Sequence, residues 1–198
     1  MIEQLEKILE NRTTVKNFNG NPIPNHLSET IKQSVTKTPS CDNRYNFKVK
    51  SLGQSREHRK AKIGLHQHIC TLSKEDVRCN YDEDKMVVRS PGSYYEVEKW
   101  KDKGILSTQI NGQVLAPLVL VWYFADGEPV ENDYLDAGLS CWNAVLTAES
   151  LGVQTGFCSC FDKNYLQSFL DIDGVPAVMI GFGFAENTNW LKQIFVVL

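Results

Sequence analysis

The sequence predicts an α+β domain in which helices flank a mixed central sheet of about four to five strands. Two near-continuous apolar runs, residues 115–124 and 175–184, are typical of strands buried on both faces. Segments with apolar residues at helical spacing precede the first run and lie between the two. A chain of 198 residues with 42% hydrophobic residues suits one domain, residues 1–198, with a substantial core.

The N-terminal quarter contains two predicted helices and one predicted strand. Apolar residues recur at helical spacing over residues 2–11 and again over residues 25–37, and Pro39 ends the second segment. Residues 45–52 alternate apolar and polar side chains, which is the pattern of a strand with one buried face.

The middle of the chain has the weakest pattern. Residues 54–73 are strongly basic at first, and we predict a helix there. Residues 74–104 are charged and aromatic without a sustained period. We expect an insertion or lid over this stretch, with a short helix at residues 94–100.

The C-terminal half contains the longest predicted helix. Residues 133–151 carry large apolar side chains and a second face of small residues, and Gly152 ends the segment. Small residues permit close approach, so we expect a central or interface helix. A short strand at 155–161 and a helix at 162–170 follow. The apolar tail, residues 194–198, is expected to pair with a sheet edge or a partner subunit.

Composition and charge argue against several classes of protein. The net charge is −3 at pH 7, and no Lys/Arg stripe follows a predicted helix, which argues against nucleic-acid binding. The longest apolar run, residues 114–125, is interrupted by Pro117 and is too short to span a bilayer. No signal-peptide pattern is present, and we therefore expect a cytoplasmic protein without a membrane partner.

Six cysteines and a His-Gln-His triplet raise the question of a metal site. No two cysteines have the C-x-x-C spacing that zinc sites use. His66 and His68 would point apart on a helix, because positions two apart do not share a face. We therefore expect no metal, and free thiols of which several are buried.

Two polar segments are candidates for a binding site. The cation loop, residues 12–16, combines two cations with two hydroxyls and could grip a phosphate, since Arg offers a planar fork of donors and Lys a point charge. The polar turn, residues 39–43, could bind a sugar-like chain. Either segment alone could also be an ordinary solvated loop or helix cap. Their joint occurrence favours a site.

Five motifs in order resemble those of the nitroreductase family of FMN-dependent oxidoreductases. Residues 12–18 are similar to the family's opening Arg-Arg-Ser-x-Arg-x-Phe motif, and residues 22–24 to the Pro and Val/Ile-Pro that follow. Residues 38–43 resemble an Ala-Pro-Ser-Ser-x-Asn turn. Residues 148–156 resemble a helix end with Leu-Gly-Leu-Gly-Thr, and residues 175–183 a Val-Pro strand ending in Ile-Gly-x-Gly.

The resemblance implies a nitroreductase-like, domain-swapped-style homodimer with FMN at the interface. In that arrangement Arg12 and Lys16 would bind the FMN phosphate or the neighbouring ribityl chain and pyrimidine edge, and Thr13 and Thr14 would add donors. The partner's polar turn would line the flavin and its ribityl chain through Ser40, Cys41 and Asn43. The loop beside flavin N5 would consist of Cys158, Ser159 and Cys160. Lys192 would be the C-terminal basic group that meets the phosphate.

The chemistry implied by the resemblance is ping-pong hydride transfer. A hydride passes from NADH or NADPH to flavin N5 and then to a small organic acceptor, such as a nitroaromatic or a quinone. No protein acid or base is required. The alternatives are an FMN-binding protein without turnover, a specialised member such as a dehalogenase or flavin-fragmenting enzyme, and a small α/β protein that binds no flavin.

Overall fold

Helices enclose a four-stranded sheet in a computed structural model of the chain, which describes residues 2–72, 80–82, 87–89, 112–125, 127–159, 161 and 163–185. The helices are α1 (Ile2–Asn11), α2 (Asn25–Ser34), α3 (Arg56–Leu72), α4 (Glu131–Ser150) and α5 (Lys163–Phe169). The strands are β1 (Phe47–Leu52), β2 (Asn80–Asp82), β3 (Val87–Arg89), β4 (Leu118–Phe124), β5 (Gln154–Cys158) and β6 (Val175–Gly183). Two 3₁₀ turns cover Cys41–Asn43 and Gly112–Leu115.

The central sheet has the strand order β1-β4-β6-β5, and each neighbouring pair is antiparallel. The two strands with near-continuous apolar sequence, β4 and β6, occupy the middle, where both faces are covered. Four strands flanked by helices confirm the predicted α+β class. The described sheet is antiparallel rather than mixed as predicted, and the parallel bridge between Thr14 and Thr155 involves a loop residue outside the named strands.

Two apolar layers cover the faces of the sheet. On one face, α2 and α4 pack Ile31 and Val145 against Trp122 and Phe182. On the other face, Leu65 of α3 and Leu166 of α5 join a separate cluster, to which the turn Gly112–Leu115 also contributes Val114. The cation loop enters this second layer through two buried side chains, Val15 and Phe18.

Helix α4 packs its small face against the sheet and leaves its large face uncovered. Ala137, Ala144 and Ala148 are buried. Three large side chains at helical spacing, which we call the apolar face of α4, are exposed to 60%, 40% and 39%: Leu135, Leu139 and Trp142. An amphipathic helix normally turns such a stripe inward, so its exposure in the single chain is unusual.

Most predicted elements are found within a few residues of their expected ends. The second helix stops at Ser34, three residues before the predicted end, and residues 112–115 form a 3₁₀ turn ahead of β4. Within the predicted insertion, β2 and β3 pair as an antiparallel ladder. The expected helix at 94–100 and the tail at 194–198 lie outside the described residues. In the described part, no helix combines the length and apolar character that a membrane span requires.

Candidate functional site

The backbone of the cation loop is tied to the sheet at two points. The Val15 N–H donates to the Thr155 carbonyl oxygen at 2.8 Å, next to the bridge between Thr14 and Thr155. Farther along, the Asn19 N–H donates to the carbonyl oxygen of Phe184 at 2.9 Å. The loop therefore crosses β5 and continues past the end of β6.

Glycines make this crossing possible. A Cβ at Gly156 would overlap the carbonyl oxygen of Val15, so any other residue there would push the cation loop away from β5. At Gly112 a Cβ would lie 2.6 Å from Oδ1 of Asn17, again closer than real contacts allow. The position of the loop is thus set by backbone packed directly on backbone.

Of the four polar side chains of the cation loop, one packs against α4 and three are exposed to solvent. Arg12 lies over the Trp142 ring, with its guanidinium carbon 5.7 Å from the ring centroid. Thr13, Thr14 and Lys16 are exposed, and Lys16 has no ion pair with any described residue. The loop therefore presents an unneutralised ammonium and two hydroxyls to solvent, with the guanidinium beside α4.

Glu149 anchors the far end of α4 to β5 beside the cation loop. Its Oε1 accepts a hydrogen bond from the Thr155 hydroxyl group, with 3.0 Å between the two oxygens. Desolvation by burial raises the pKa of Glu149, while the Thr155 hydrogen bond and the charge of Arg12 act in the opposite direction. The carboxyl group thus partly offsets the positive charge of Arg12 and forms no ion pair with Lys16.

The polar turn is held by a buried carboxylate of α4. The Ser40 hydroxyl donates to Oδ2 of Asp136 at 2.6 Å, and the Cys41 N–H donates to both Asp136 oxygens at 3.2 Å. The Asn132 side-chain amide donates to the Cys41 sulfur at 3.3 Å. Asp136 is 2% exposed, so its negative charge is compensated by these donors rather than by water.

A second buried carboxylate, Asp133, fixes the chain that follows the polar turn. Its Oδ2 accepts the Val130 N–H at 2.9 Å and the Asn46 amide at 3.1 Å, and Arg44 lies 3.7 Å from Oδ1. The Val130 hydrogen bond lowers the pKa of Asp133; Asn46 and Arg44 act in the same direction, against desolvation. The carboxylate therefore stays ionised although it is buried.

The backbone of the polar turn is in an unfavourable conformation. Asp42, Asn43 and Tyr45 have φ values of 55°, 55° and 44°, the left-handed region that non-glycine residues rarely adopt. The side chains of Cys41 and Asn43 are exposed. Strain of this kind persists where surrounding contacts enforce it, and it is concentrated at functional sites.

Within one chain the cation loop and the polar turn meet different parts of α4. Asp136 holds the polar turn, whereas Arg12 of the cation loop lies over Trp142, six residues farther along the helix, which corresponds to about 9 Å along its axis. Glu149, which bonds to β5 beside the cation loop, is thirteen residues from Asp136, or about 20 Å along the axis. The prediction that the polar turn serves the partner's site requires this separation.

The predicted loop beside flavin N5 is only partly described. Cys158 ends β5 with its thiol buried in the second apolar layer at 1% exposure, whereas Ser159 is exposed. Cys160 and Lys192 lie outside the described residues. Cys41 and Cys141 are free thiols, and burial raises the pKa of the Cys141 thiol to about 12.

Sequence reasoning missed three buried polar residues of this region. Asp133 and Asp136 share the buried face of α4 with Ala137 and Ser140; two acids three apart on a face of small residues were a usable signal. Gln113 is 3% exposed, packs against Gly156, and has no hydrogen-bond partner for Oε1 in the described structure. Nothing in its sequence context distinguishes it.

The described residues contain no cluster of His, Cys, Asp and Glu able to hold a metal.

A buried lysine supports the turn on which Gln113 lies. Lys62 of α3 is fully buried and donates to the Ala116 and Pro117 carbonyl oxygens at 2.7 and 3.3 Å. Desolvation, with a smaller contribution from the charge of Arg59, lowers its pKa from 10.5 to about 7. The amine is therefore partly neutral in the folded protein at neutral pH.

Lys62 should make stability depend on pH. Between about pH 7 and 10.5 the unfolded chain retains the lysine proton that the folded chain has lost, so the free energy of unfolding rises with pH in this window. We expect wild type to gain about 2 kcal/mol relative to Lys62→Met between pH 7 and 9. Urea unfolding measures this difference. Lys60→Met, an exposed change on the same helix, should show none, and a pH-independent Lys62→Met difference would contradict the assignment.

Known proteins share this fold. An FMN-dependent nitroreductase, NfnB from Mycobacterium smegmatis solved with NADPH, has a TM-score of 0.69 at 16% identity, covering 97% of this chain and 92% of that one. A nitroreductase with bound FMN from Desulfitobacterium hafniense DCB-2 has a TM-score of 0.66 at 16% sequence identity, and the match covers 95% of this chain and 92% of that one. An iodotyrosine deiodinase bound to FMN and 3-iodo-L-tyrosine has a TM-score of 0.65 at 14% sequence identity, and the match covers 92% of this chain and 90% of that one. No curated protein sequence matches significantly.

The family comparison covers nearly all of the described structure. The model of the nitroreductase family matches residues 9–184, a stretch that contains the cation loop, the polar turn and every strand of the central sheet. A match of this extent shows that the chain belongs to the nitroreductase family.

Proposed function

We propose that the protein is an FMN-dependent oxidoreductase that takes a hydride from NADH or NADPH and passes it to a small organic acceptor. The observation that carries the proposal is the layout of α4: Asp136 holds the polar turn, Arg12 of the cation loop lies over Trp142, and an uncovered apolar face runs along the same helix. FMN and NADPH in solved members of the fold support the choice of cofactor and hydride donor.

A homodimer would complete the site. If a twofold axis passes near Leu139, perpendicular to α4, the two copies of the helix pack antiparallel through their apolar faces. Position 136 of one copy then lies opposite position 142 of the other, so the polar turn of one chain approaches Arg12 and the cation loop of its partner. The two separated halves become one site in duplicate.

The donor set of this site suits FMN. A phosphate dianion needs cations and hydrogen-bond donors. The cation loop offers Lys16, which forms no ion pair within the described part of the chain, together with Thr13, Thr14 and the nearby Arg12. The exposed amide of Asn43 and the hydrophilic surface of the polar turn suit a polyhydroxyl chain. The residues present therefore fit the cofactor that the family implies.

The chain contributes binding and orientation. When bound, FMN supplies the hydride acceptor and donor. Lys16 and Arg12 hold the phosphate, Asn43 and Cys41 from the partner line the cofactor, and the exposed Ser159 lies on the loop proposed to border its ring. No described side chain is assigned a proton-transfer role.

Lys16→Gln tests the cofactor site. Loss of a charge-assisted hydrogen bond to phosphate should weaken FMN binding by about 10- to 100-fold, equivalent to about 1.5–3 kcal/mol. Quenching of FMN fluorescence on titration with cofactor-free protein measures the affinity, and Lys48→Gln, which removes an exposed lysine from β1, is the control. Equal affinities for the two variants would remove Lys16 from the site.

Turnover separates the enzyme from a protein that only stores or senses flavin. We expect NADH or NADPH oxidation in the presence of a nitroaromatic or a quinone, with parallel-line kinetics typical of a ping-pong mechanism. A halogenated phenol belongs in the same assay, because a deiodinase shares the fold. Protein that binds FMN but oxidises neither nucleotide with any of these acceptors would favour storage or sensing.

A further inference from the structure

We propose that Asp136 is the positioning residue of the polar turn and that Ser40 acts through Asp136 instead of contacting the cofactor. This inference deepens the proposed function and rests on it for the identity of the cofactor. It assigns direct contact to the exposed side chains of Cys41 and Asn43 and assigns Ser40 and Asp136 to holding those side chains in place.

The hydroxyl proton of Ser40 is already used inside the chain. Its single hydroxyl proton is committed to Asp136 by the short 2.6 Å bond, while the carbonyl oxygen of Cys41 lies farther away at 3.4 Å. The hydroxyl oxygen also accepts the Tyr45 N–H at 2.9 Å. A ligand would therefore have to break the bond to a buried carboxylate before Ser40 could donate to it.

The Asp136 carboxylate holds the first residues of the turn as a unit. It accepts the Ser40 hydroxyl and the Cys41 N–H together, so it fixes both a side chain and the adjoining backbone. The Tyr45 hydroxyl closes the loop by donating to the Thr38 carbonyl oxygen at 3.0 Å. Four residues of the turn region are thus tied to one another or to α4.

These bonds maintain the strained backbone that displays Asn43. Asp42 and Asn43 have left-handed φ values, so the turn would relax if its anchors were lost. In the strained form the Asn43 side chain is exposed while its N–H donates back to the Ser40 carbonyl oxygen at 3.3 Å. Asp136 therefore determines where the Asn43 amide points without touching a ligand itself.

The test separates positioning from contact by measuring two properties. Amide hydrogen exchange of Cys41 and Tyr45 is followed by NMR in cofactor-free protein, and FMN affinity is measured by fluorescence quenching. The variants are Asp136→Asn, Ser40→Ala, the double variant and Asn43→Ala. Glu131→Gln, an exposed change on the same helix, is the control and should alter neither property.

The expected results follow from the hydrogen bond that joins Ser40 to Asp136. Asp136→Asn and Ser40→Ala should each speed exchange at Cys41 and Tyr45 and weaken FMN binding about tenfold, the typical effect of one hydrogen bond to a charged group. The loss in the double variant should be smaller than the product of the two single losses, because both changes remove the bond between Ser40 and Asp136. Asn43→Ala should weaken FMN binding and leave exchange at Cys41 unchanged.

Two results would overturn the inference. One is a Ser40→Ala protein with wild-type exchange and weakened FMN binding, which would make Ser40 a direct contact. The other is a double variant whose losses multiply. If Asp136→Asn does not fold, Ser40→Ala still decides the question, since it keeps the carboxylate. Wild-type protein that binds no FMN overturns the proposed function alone, because exchange still reports whether Asp136 and Ser40 shape the turn.

Discussion

Replacing Leu139 with glutamate is expected to turn the proposed dimer into monomers that no longer bind FMN. Leu139 lies at the middle of the apolar face of α4, so a twofold axis there would bring both copies of the new carboxylate into the interface. An unpaired buried charge costs several kcal/mol, and the change occurs twice. We expect the dissociation constant of the dimer to rise by on the order of a thousandfold or more.

Sedimentation velocity measures the change in mass, and an FMN titration of the same samples measures the loss of the shared site. Phe169→Glu is the matched control, because Phe169 of α5 is exposed to 41%, close to the 40% of Leu139, but lies on another helix. A Leu139→Glu protein that remains dimeric would place the interface elsewhere. A monomer that binds FMN as tightly as wild type would show that one chain suffices.

Gly156→Ala is expected to lower stability by about 3 kcal/mol and to displace the cation loop. The new methyl group would overlap the Val15 carbonyl oxygen and lie 2.6 Å from Cγ of Gln113. Backbone cannot yield as a flexible side chain can, so the hydrogen bond from Val15 to Thr155 should be lost. Lys16 would then leave its place beside β5.

Urea unfolding gives the loss in stability, and FMN titration gives the effect on the site. Gly53→Ala supplies the comparison: its methyl group would meet only Nδ1 of His58 at an ordinary 3.8 Å, and neither stability nor FMN affinity should fall appreciably. If Gly156→Ala is as stable as Gly53→Ala, the direct contact between the loop and β5 does not fix the position of the cation loop.

Helix and strand periodicity predicted most of the fold because burial dictates it. The apolar runs of β4 and β6 are found at the sheet centre, where both faces are covered, and the alternating segment became the edge strand β1. The predicted strand began at residue 115, but Leu115 ends the 3₁₀ turn and β4 begins only at Leu118, because an unbroken apolar run carries no period that marks where a strand starts.

The apolar face of α4 shows where sequence patterns stop being informative. Large and small apolar residues both indicated burial, but the sheet accepts the small face, because Ala137, Ala144 and Ala148 let the helix lie close. Leu135 and Leu139 then remain outside. Periodicity indicates that two faces are apolar, but it cannot decide which face meets the chain's own sheet and which stays exposed in the single chain.

The candidate site was predicted in its exposed parts and missed in its buried ones. Lys16 and Asn43 were identified from residue type and motif. Asp136 was not, because its role depends on a contact between residues 95 and 96 positions apart, which no local pattern encodes. The same holds for Gln113, whose burial follows from the close packing of Gly156 and Gly181.

The measurement that tests the shared site most directly is FMN binding by mixed dimers. Lys16→Gln protomers and Asn43→Ala protomers, carrying different affinity tags, are mixed and the heterodimer is purified. If each site combines the cation loop of one chain with the polar turn of the other, one of the two sites in the heterodimer carries both changes and the other carries none. We therefore predict one site per heterodimer with wild-type FMN affinity. Two weakened sites and no native one would contradict the account.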